Sequence, residues 1–112
     1  MLIFKIFRKD EWDTLTTLGE TAGAPVDLAD GFIHFSTATQ APETAAKHFA
    51  GADDLILAAC DSERLGDALR WEPSRGGALF PHLYRNLRRE EVLWHAPLAL
   101  ADGLHQFPSE MS

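Results

Sequence analysis

The sequence predicts a mixed α+β domain, with two or three helices packed on a curved, mixed or antiparallel sheet. Three observations carry this. Apolar runs of strand length recur at residues 2–8, 31–35, 54–60, 79–84 and 91–100. Between the early runs, two segments place apolar residues at helical spacing. The chain has 112 residues, 46% of them hydrophobic, which suffices for one core and is too short for two substantial domains. Residues 1–112 are therefore expected to form a single domain.

Each element has its own justification. In residues 2–8, Ile3, Phe4, Ile6 and Phe7 are strand formers, and Lys5 and Arg8 are expected to mark an exposed side or end. Asp10 is expected to cap the first helix, with Glu11 and Asp13 favourable in its first turn. Trp12, Leu15 and Leu18 form its apolar stripe, and Gly19 is its C-cap. Residues 20–30, with Gly23, Pro25, Asp27 and Asp30, read as a loop. Gly31 to Phe35 returns as a strand. Pro42 places the next helix start: with Thr39 as N-cap its missing N–H falls in the first turn, whereas with Thr37 its ring would meet a preceding carbonyl. Ala41, Ala45 and Phe49 line one face of that helix, and Gly51 ends it.

Leu55, Ile56 and Leu57 are consecutive and apolar, the pattern of a buried strand, and it carries Cys60 as a small buried thiol. Asp61 can cap a short helical turn. Residues 70–73 are extended, and Ser74-Arg75-Gly76-Gly77 is a flexible turn. Leu79 to Tyr84 is extended again, and Pro81 argues for an edge or irregular strand. Residues 91–100 form a strand interrupted by Pro97, Leu104 to Phe107 a short terminal strand, and the last residues are expected to fray.

Composition removes several classes of function. Ten basic against seventeen acidic side chains give a net charge of −7, which argues against a general nucleic-acid binder. Arg85, Arg88 and Arg89 are the one dense basic cluster and are expected on a solvated face. A single cysteine excludes an intrachain disulfide and a cysteine-based zinc cluster within one chain. No signal-peptide pattern and no run of ~20 apolar residues occurs, so a cytoplasmic protein without a membrane span is expected. Neither a phosphate-binding glycine motif nor HExxH spacing is present, and no metal ligand is assigned.

Two segments carry most of the chemistry: Gly31-Phe32-Ile33-His34-Phe35-Ser36-Thr37 and Leu79-Phe80-Pro81-His82-Leu83-Tyr84. Each sets an imidazole inside an apolar run, with a hydroxyl residue two positions later on the same strand face. His34, Ser36, His82 and Tyr84 are therefore expected to line one cleft. His34 can bind a ligand, move a proton or lock two core segments together. Thr37 lies where a helix start can receive an anion. Glu72, beside Trp71, is a candidate acid or base whose pKa desolvation would raise. Arg75, in its glycine-rich turn, could grip a carboxylate or phosphate.

These two motifs, with Gln40, Glu72 and the Lys5-Ile6 and Glu11-Trp12 opening, resemble a family of small bacterial proteins. It is the domain-of-unknown-function family numbered nine hundred and fifty-two, and the resemblance runs from about residue 3 to residue 95. Family members tend to carry Gly after the second motif, where this chain has Asn86. The family is itself similar to a reduced relative of the ADP-ribosyltransferase superfamily. That likeness implies a split, curved β core with a cleft for a nicotinamide dinucleotide, and NAD as the cofactor. It implies that His34, with Ser36, holds a ribose, that Glu72 supports the charge or proton of a transfer, and that His82 and Tyr84 stack or polarise. The order of Glu72 before Tyr84 departs from the superfamily's usual late glutamate.

Three functions follow as expectations. The first is an enzyme acting on a nicotinamide dinucleotide or ADP-ribosyl compound, with Glu72 and His82 catalytic and His34, Ser36, Thr37, Arg75 and Tyr84 binding ligand. The second is a non-catalytic module for a small metabolite. The third is a protein-interaction domain whose histidines only organise the core.

Overall fold

The computed structural model describes residues 1–111 and, at Arg75, the backbone alone. In chain order its elements are β1 (Leu2–Phe7), α1 (Lys9–Leu18), β2 (Glu20–Thr21), α2 (Pro25–Asp30), β3 (Ile33–His34), α3 (Ala41–His48) and β4 (Leu55–Asp61). They continue with α4 (Ser62–Leu65), β5 (Leu69–Pro73), β6 (Leu79–Leu83), β7 (Leu87–Arg88), β8 (Val92–Leu98), β9 (Leu100–Ala101) and β10 (Leu104–His105). The class is α+β, in one domain.

Two three-stranded antiparallel sheets, β1-β4-β8 and β3-β6-β5, make the frame. They are stitched by a bridge in which Phe4 N donates to Ser36 O at 2.7 Å and Ser36 N to Phe4 O at 2.8 Å. The β core is thus split but continuous. β1 is covered on both faces, which explains its imperfect alternation. Ile3 and Phe7 join Leu15, Phe35, Ala58 and Leu83 in one core, while Phe4 and Ile6 join Ala45, Leu57 and Leu98 in a second. β4 serves both cores in the same way, and Cys60 is fully buried within it. Burial, with the Glu91 charge, pushes the Cys60 thiol up to about 12.

Several expectations are corrected. The segment 20–30 is not a loop, because Pro25 opens α2 at a position where its missing N–H is harmless. α1 starts at Lys9, not after Asp10, and Glu11 reaches back to Arg8 N at 2.9 Å. Its end at Gly19 is as expected, with the glycine left-handed at φ 83 and its N–H on Leu15 O. Pro81 lies in the central strand of its sheet, not at an edge. Its carbonyl accepts from Phe35 N, and a strand residue's N–H and C=O point the same way. The absent N–H therefore faces Phe35, the residue just past β3 that stands opposite Pro81, and the ladder to β5 is intact. The chain end does not fray through residue 111, since Met111 packs into the second core beside Phe107. Among the described residues no helix is long and apolar enough to cross a membrane.

Candidate functional site

The site begins with a buried lysine. Lys5 shares its strand face with Ile3 and Phe7, so it points inward and is only 6% exposed. This overturns its expected place on an exposed side. A buried ammonium needs a countercharge, and Asp27 of α2 supplies it, with Lys5 Nζ 2.8 Å from Asp27 Oδ2. Asp27 is itself fully buried and accepts three further bonds: from Ala24 N at 2.8 Å, His34 N at 3.1 Å and His34 Nδ1 at 2.5 Å. Burial would raise this carboxyl, but the His34 bond, the Lys5 charge and bond, and the Ala24 amide outweigh it and hold it at about 2. Asp27 is thus ionised near neutrality and clamps β1, α2 and β3 around one imidazole. The chain passes close at Gly23, where φ is +103° and a Cβ would fall 2.3 Å from Asp27 Oδ2. His34 Nε2 meets a second carboxylate, Asp30 Oδ2, at 3.0 Å.

His82 faces His34 across the β3–β6 ladder, the two being register partners with ring centroids 5.4 Å apart. Phe32 covers the pair, stacked on His82 at 4.1 Å and tilted against His34 at 4.6 Å and Tyr84 at 5.2 Å. On β5, Glu72 stands diagonally across from His82. Its Oε1 takes Tyr84 OH at 2.7 Å and His82 Nδ1 at 2.9 Å. With Nδ1–H given to the carboxylate, the neutral ring presents Nε2 as a proton acceptor. Among the described residues that nitrogen has no protein partner.

The Glu72 carboxyl is not raised as expected. The Tyr84 and His82 hydrogen bonds hold it below the usual range. Strand alternation puts Trp71 on the opposite face, so it does not desolvate its neighbour. The same bond to Glu72 raises Tyr84, whose ring carries the Arg70 guanidinium at 4.8 Å.

A cleft of about 560 Å³ opens beside these groups. His34, Ser36 and His82 line it, as do Asp30, Lys5, Arg8 and the rings of Phe4, Phe35, Phe49 and Phe80. Tyr84, expected to line it, does not. It touches the site's residues through Glu72, by its hydroxyl, and through Phe32, by its ring. Ser36 Oγ lies 3.0 Å from Thr44 Oγ1. Thr37 is occupied in a capping box, with Gln40 N on Thr37 Oγ1 at 3.2 Å and Thr37 N on Gln40 Oε1 at 3.0 Å. Thr37, not Thr39, therefore starts the helical turn, and the regular helix begins at Ala41 where Pro42 interrupts no bond. Gln40 Nε2 on Leu79 O ties this turn to β6. The side chain of Arg75 lies outside the described residues. Arg85 leaves the basic cluster to grip Glu91 through both carboxylate oxygens, at 2.6 and 2.9 Å. Among the described residues no cluster of His, Cys, Asp or Glu is placed to hold a metal ion.

Lys5, Asp27, Asp30 and Phe32 are the site residues that pattern reading missed. The signal for the first two was a lysine in an otherwise inward strand, which demands an acidic partner somewhere in the chain.

The fold and site define a small split-sheet α+β protein with a paired-histidine cleft. The chain belongs to the family described as Protein of unknown function (DUF952), whose model matches residues 6–95. Among solved structures it is similar to protein CC0527 of Caulobacter crescentus. The crystal structure of that protein shares 54% identity and a TM-score of 0.91, over 95% of this chain and 94% of that one. Its solution structure shares 55% identity and a TM-score of 0.84, over 94% and 91%. No curated protein matches.

Proposed function

We propose that the cleft binds an ADP-ribosyl compound of the nicotinamide dinucleotide class, and that His82 moves a proton there. The fold is read accordingly as a reduced relative of the ADP-ribosyltransferases. The observation that carries the reading is the Glu72–His82 pair. A binding module has no need of a carboxylate that fixes an imidazole tautomer and leaves its other nitrogen toward a cleft. Two further features support the ligand class. The β core is split, with the cleft between its halves, and the cleft offers His34 and Ser36 for sugar hydroxyls beside Phe4, Phe35 and Phe80 for a planar ring.

The bound dinucleotide supplies a sugar carbon whose bond to nicotinamide breaks, the electron pair leaving with the ring. The protein's part is positional and electrostatic. His34, clamped by Asp27, orients a ribose. His82 Nε2 accepts the proton of the attacking hydroxyl, and Glu72 stabilises the resulting imidazolium through Nδ1–H. Glu72 acts through His82, since its nearer oxygen already takes two bonds.

Calorimetry and thermal shift with NAD and ADP-ribose at millimolar concentration test the binding, and chromatographic assay of nicotinamide release tests the chemistry. His34→Ala is expected to weaken binding about two- to tenfold. His82→Ala is expected to abolish release while retaining binding. No heat and no stabilisation by either compound in folded protein would defeat the reading.

A further inference from the structure

β5 is the outer strand of the β3-β6-β5 sheet, and among the described residues no other strand pairs with its free side. The direction of its backbone groups follows from β6. Pro81 O accepts from Phe35 N, so Pro81 turns its backbone toward β3. Phe80 and His82 alternate with it and turn theirs toward β5, where their register partners are Glu72 and Arg70. Tyr84 N on Ala68 O at 2.8 Å continues the pattern. Trp71, between Arg70 and Glu72, therefore points its N–H and C=O outward. Among the described residues neither group has a backbone partner.

The side chains on this strand are arranged about Trp71 with opposite charges on either side. Arg70 precedes it and Glu72 follows it, both on the face that carries His82. Trp71 stands on the other face with Leu79, the register partner of Pro73, and the two are 38% and 52% exposed. A second copy laid antiparallel along this edge, with a two-fold axis at Trp71, matches every one of these features. Trp71 exchanges two backbone hydrogen bonds with the partner's Trp71, and the indoles meet on the apolar face. Arg70 falls directly opposite the partner's Glu72, and Glu72 opposite the partner's Arg70, at the non-hydrogen-bonded positions where side chains come closest. Glu72 Oε2 is open to that contact, because His82 and Tyr84 both bond to Oε1.

The rest of the surface favours no such meeting, since a net charge of −7 sets two copies against each other. The open edge of the other sheet, β8, has no Asp, Glu, Lys or Arg, and it is blunted by Pro97 and by the register shift opposite Ala59 and Cys60. The β5 pairing is short. Leu69 N–H is already on Gly66 O, and Pro73 has no N–H to give. An interface of this size makes a weak, reversible dimer.

We infer that β5 pairs with β5 of a second copy about a two-fold axis at Trp71, joining two three-stranded sheets into one. This goes beyond the ligand reading and does not depend on it.

Sedimentation equilibrium from about 10 µM to about 1 mM tests it, after melting temperatures have shown which variants fold. The wild type should exchange between monomer and dimer within that range. Arg70→Glu sets carboxylates opposite each other across the axis, and Glu72→Arg does the same with guanidinium groups. Each alone should weaken dimerisation about tenfold or more. Mixed in equal amounts, the two variants should dimerise with each other about as well as the wild type, because every facing pair is again opposite in charge. Trp71→Lys changes an exposed residue, sets two ammonium groups together at the axis, and should act like Arg70→Glu. It keeps the inference testable if Glu72→Arg does not fold. A wild type that stays monomeric at about 1 mM would overturn the inference. So would a dimer that neither Arg70→Glu nor Trp71→Lys weakens, or folded charge variants that associate no better mixed than apart.

Discussion

Asp27 shows how one side chain can decide both stability and function. Its carboxyl titrates at about 2 in the folded protein, against an ordinary value of 3.8. Between those values the unfolded chain binds the proton and the folded chain does not. Stability contributed by Asp27 is therefore fully present above about pH 4 and is lost as pH falls toward 2, to the extent of about 2 kcal/mol. Asp27→Asn should cost more than this near neutrality, about 3–5 kcal/mol, because it also leaves Lys5 buried without a countercharge. The difference from wild type should shrink as pH is lowered to 2. Denaturant unfolding of both proteins across that range checks it.

Glu72 offers a second test at this scale, one that needs no ligand. The chain has a single tyrosine, so ultraviolet titration of the phenol reports Tyr84 alone. In the wild type it should titrate above the ordinary range, since the phenol donates to an ionised carboxylate. In Glu72→Gln it should move back down. An unchanged titration would mean that the Tyr84–Glu72 bond does not form in solution, and would remove one of the two donors that hold Glu72 ionised.

At the scale of elements, the six-residue α2 does more than its length suggests. It carries Asp27 and Asp30 one turn apart, and both reach His34. Its approach is set by Gly23, where conformation and space both exclude a side chain. Gly23→Ala should therefore destabilise by more than Gly31→Ala. Both positions have positive φ, but at Gly31 an added Cβ meets open space and at Gly23 it meets Asp27. The excess should exceed about 1 kcal/mol, the penalty of a displaced buried hydrogen bond added to a strained backbone. Parallel urea titrations of the two variants measure it. The short α3 is held by the Thr37–Gln40 capping box and by the Gln40 bond to Leu79. Thr37, at the end of the first histidine motif, and Leu79, at the start of the second, thus serve the frame, while His34 and His82 line the cleft.

At the scale of the whole molecule, β1 and β4 contribute side chains to both cores, so neither core can open without the other. A single cooperative unfolding transition is expected. Cys60 reports on it, being fully buried in β4 with a thiol pushed up to about 12. Its reaction with a thiol reagent should proceed only through global opening, with a rate that follows unfolding across denaturant concentrations. Fast labelling under native conditions would show local opening of β4 or β8. Leu57→Ala, in the second core, should cost about 2–5 kcal/mol and accelerate labelling in proportion.

Much of this molecule was written into its sequence. The strand and helix periods, the C-cap at Gly19, the buried thiol at Cys60 and the pairing of imidazole with hydroxyl in two motifs are local patterns, and local patterns survive in one dimension. That His34 and His82 meet was an expectation from i,i+2 spacing, and the β3–β6 register brings them side by side. What the sequence could not show were interactions whose partners lie far apart in the chain. Lys5 reads as an exposed strand residue, and only the fold sets Asp27, twenty-two residues on, beside it. Glu72 looked desolvated by its neighbour Trp71, yet its charge state is set by Tyr84 and His82, twelve and ten residues away. Pro81 reads as an edge signal, but its missing N–H matters only relative to the adjacent strand, and here it faces the last residue opposite β6, Phe35, while the β5 side keeps its ladder. Periodicity determined which faces are apolar. Only the folded chain decided which buried charges meet, because Coulomb and hydrogen-bond energies depend on separation in space and not along the sequence.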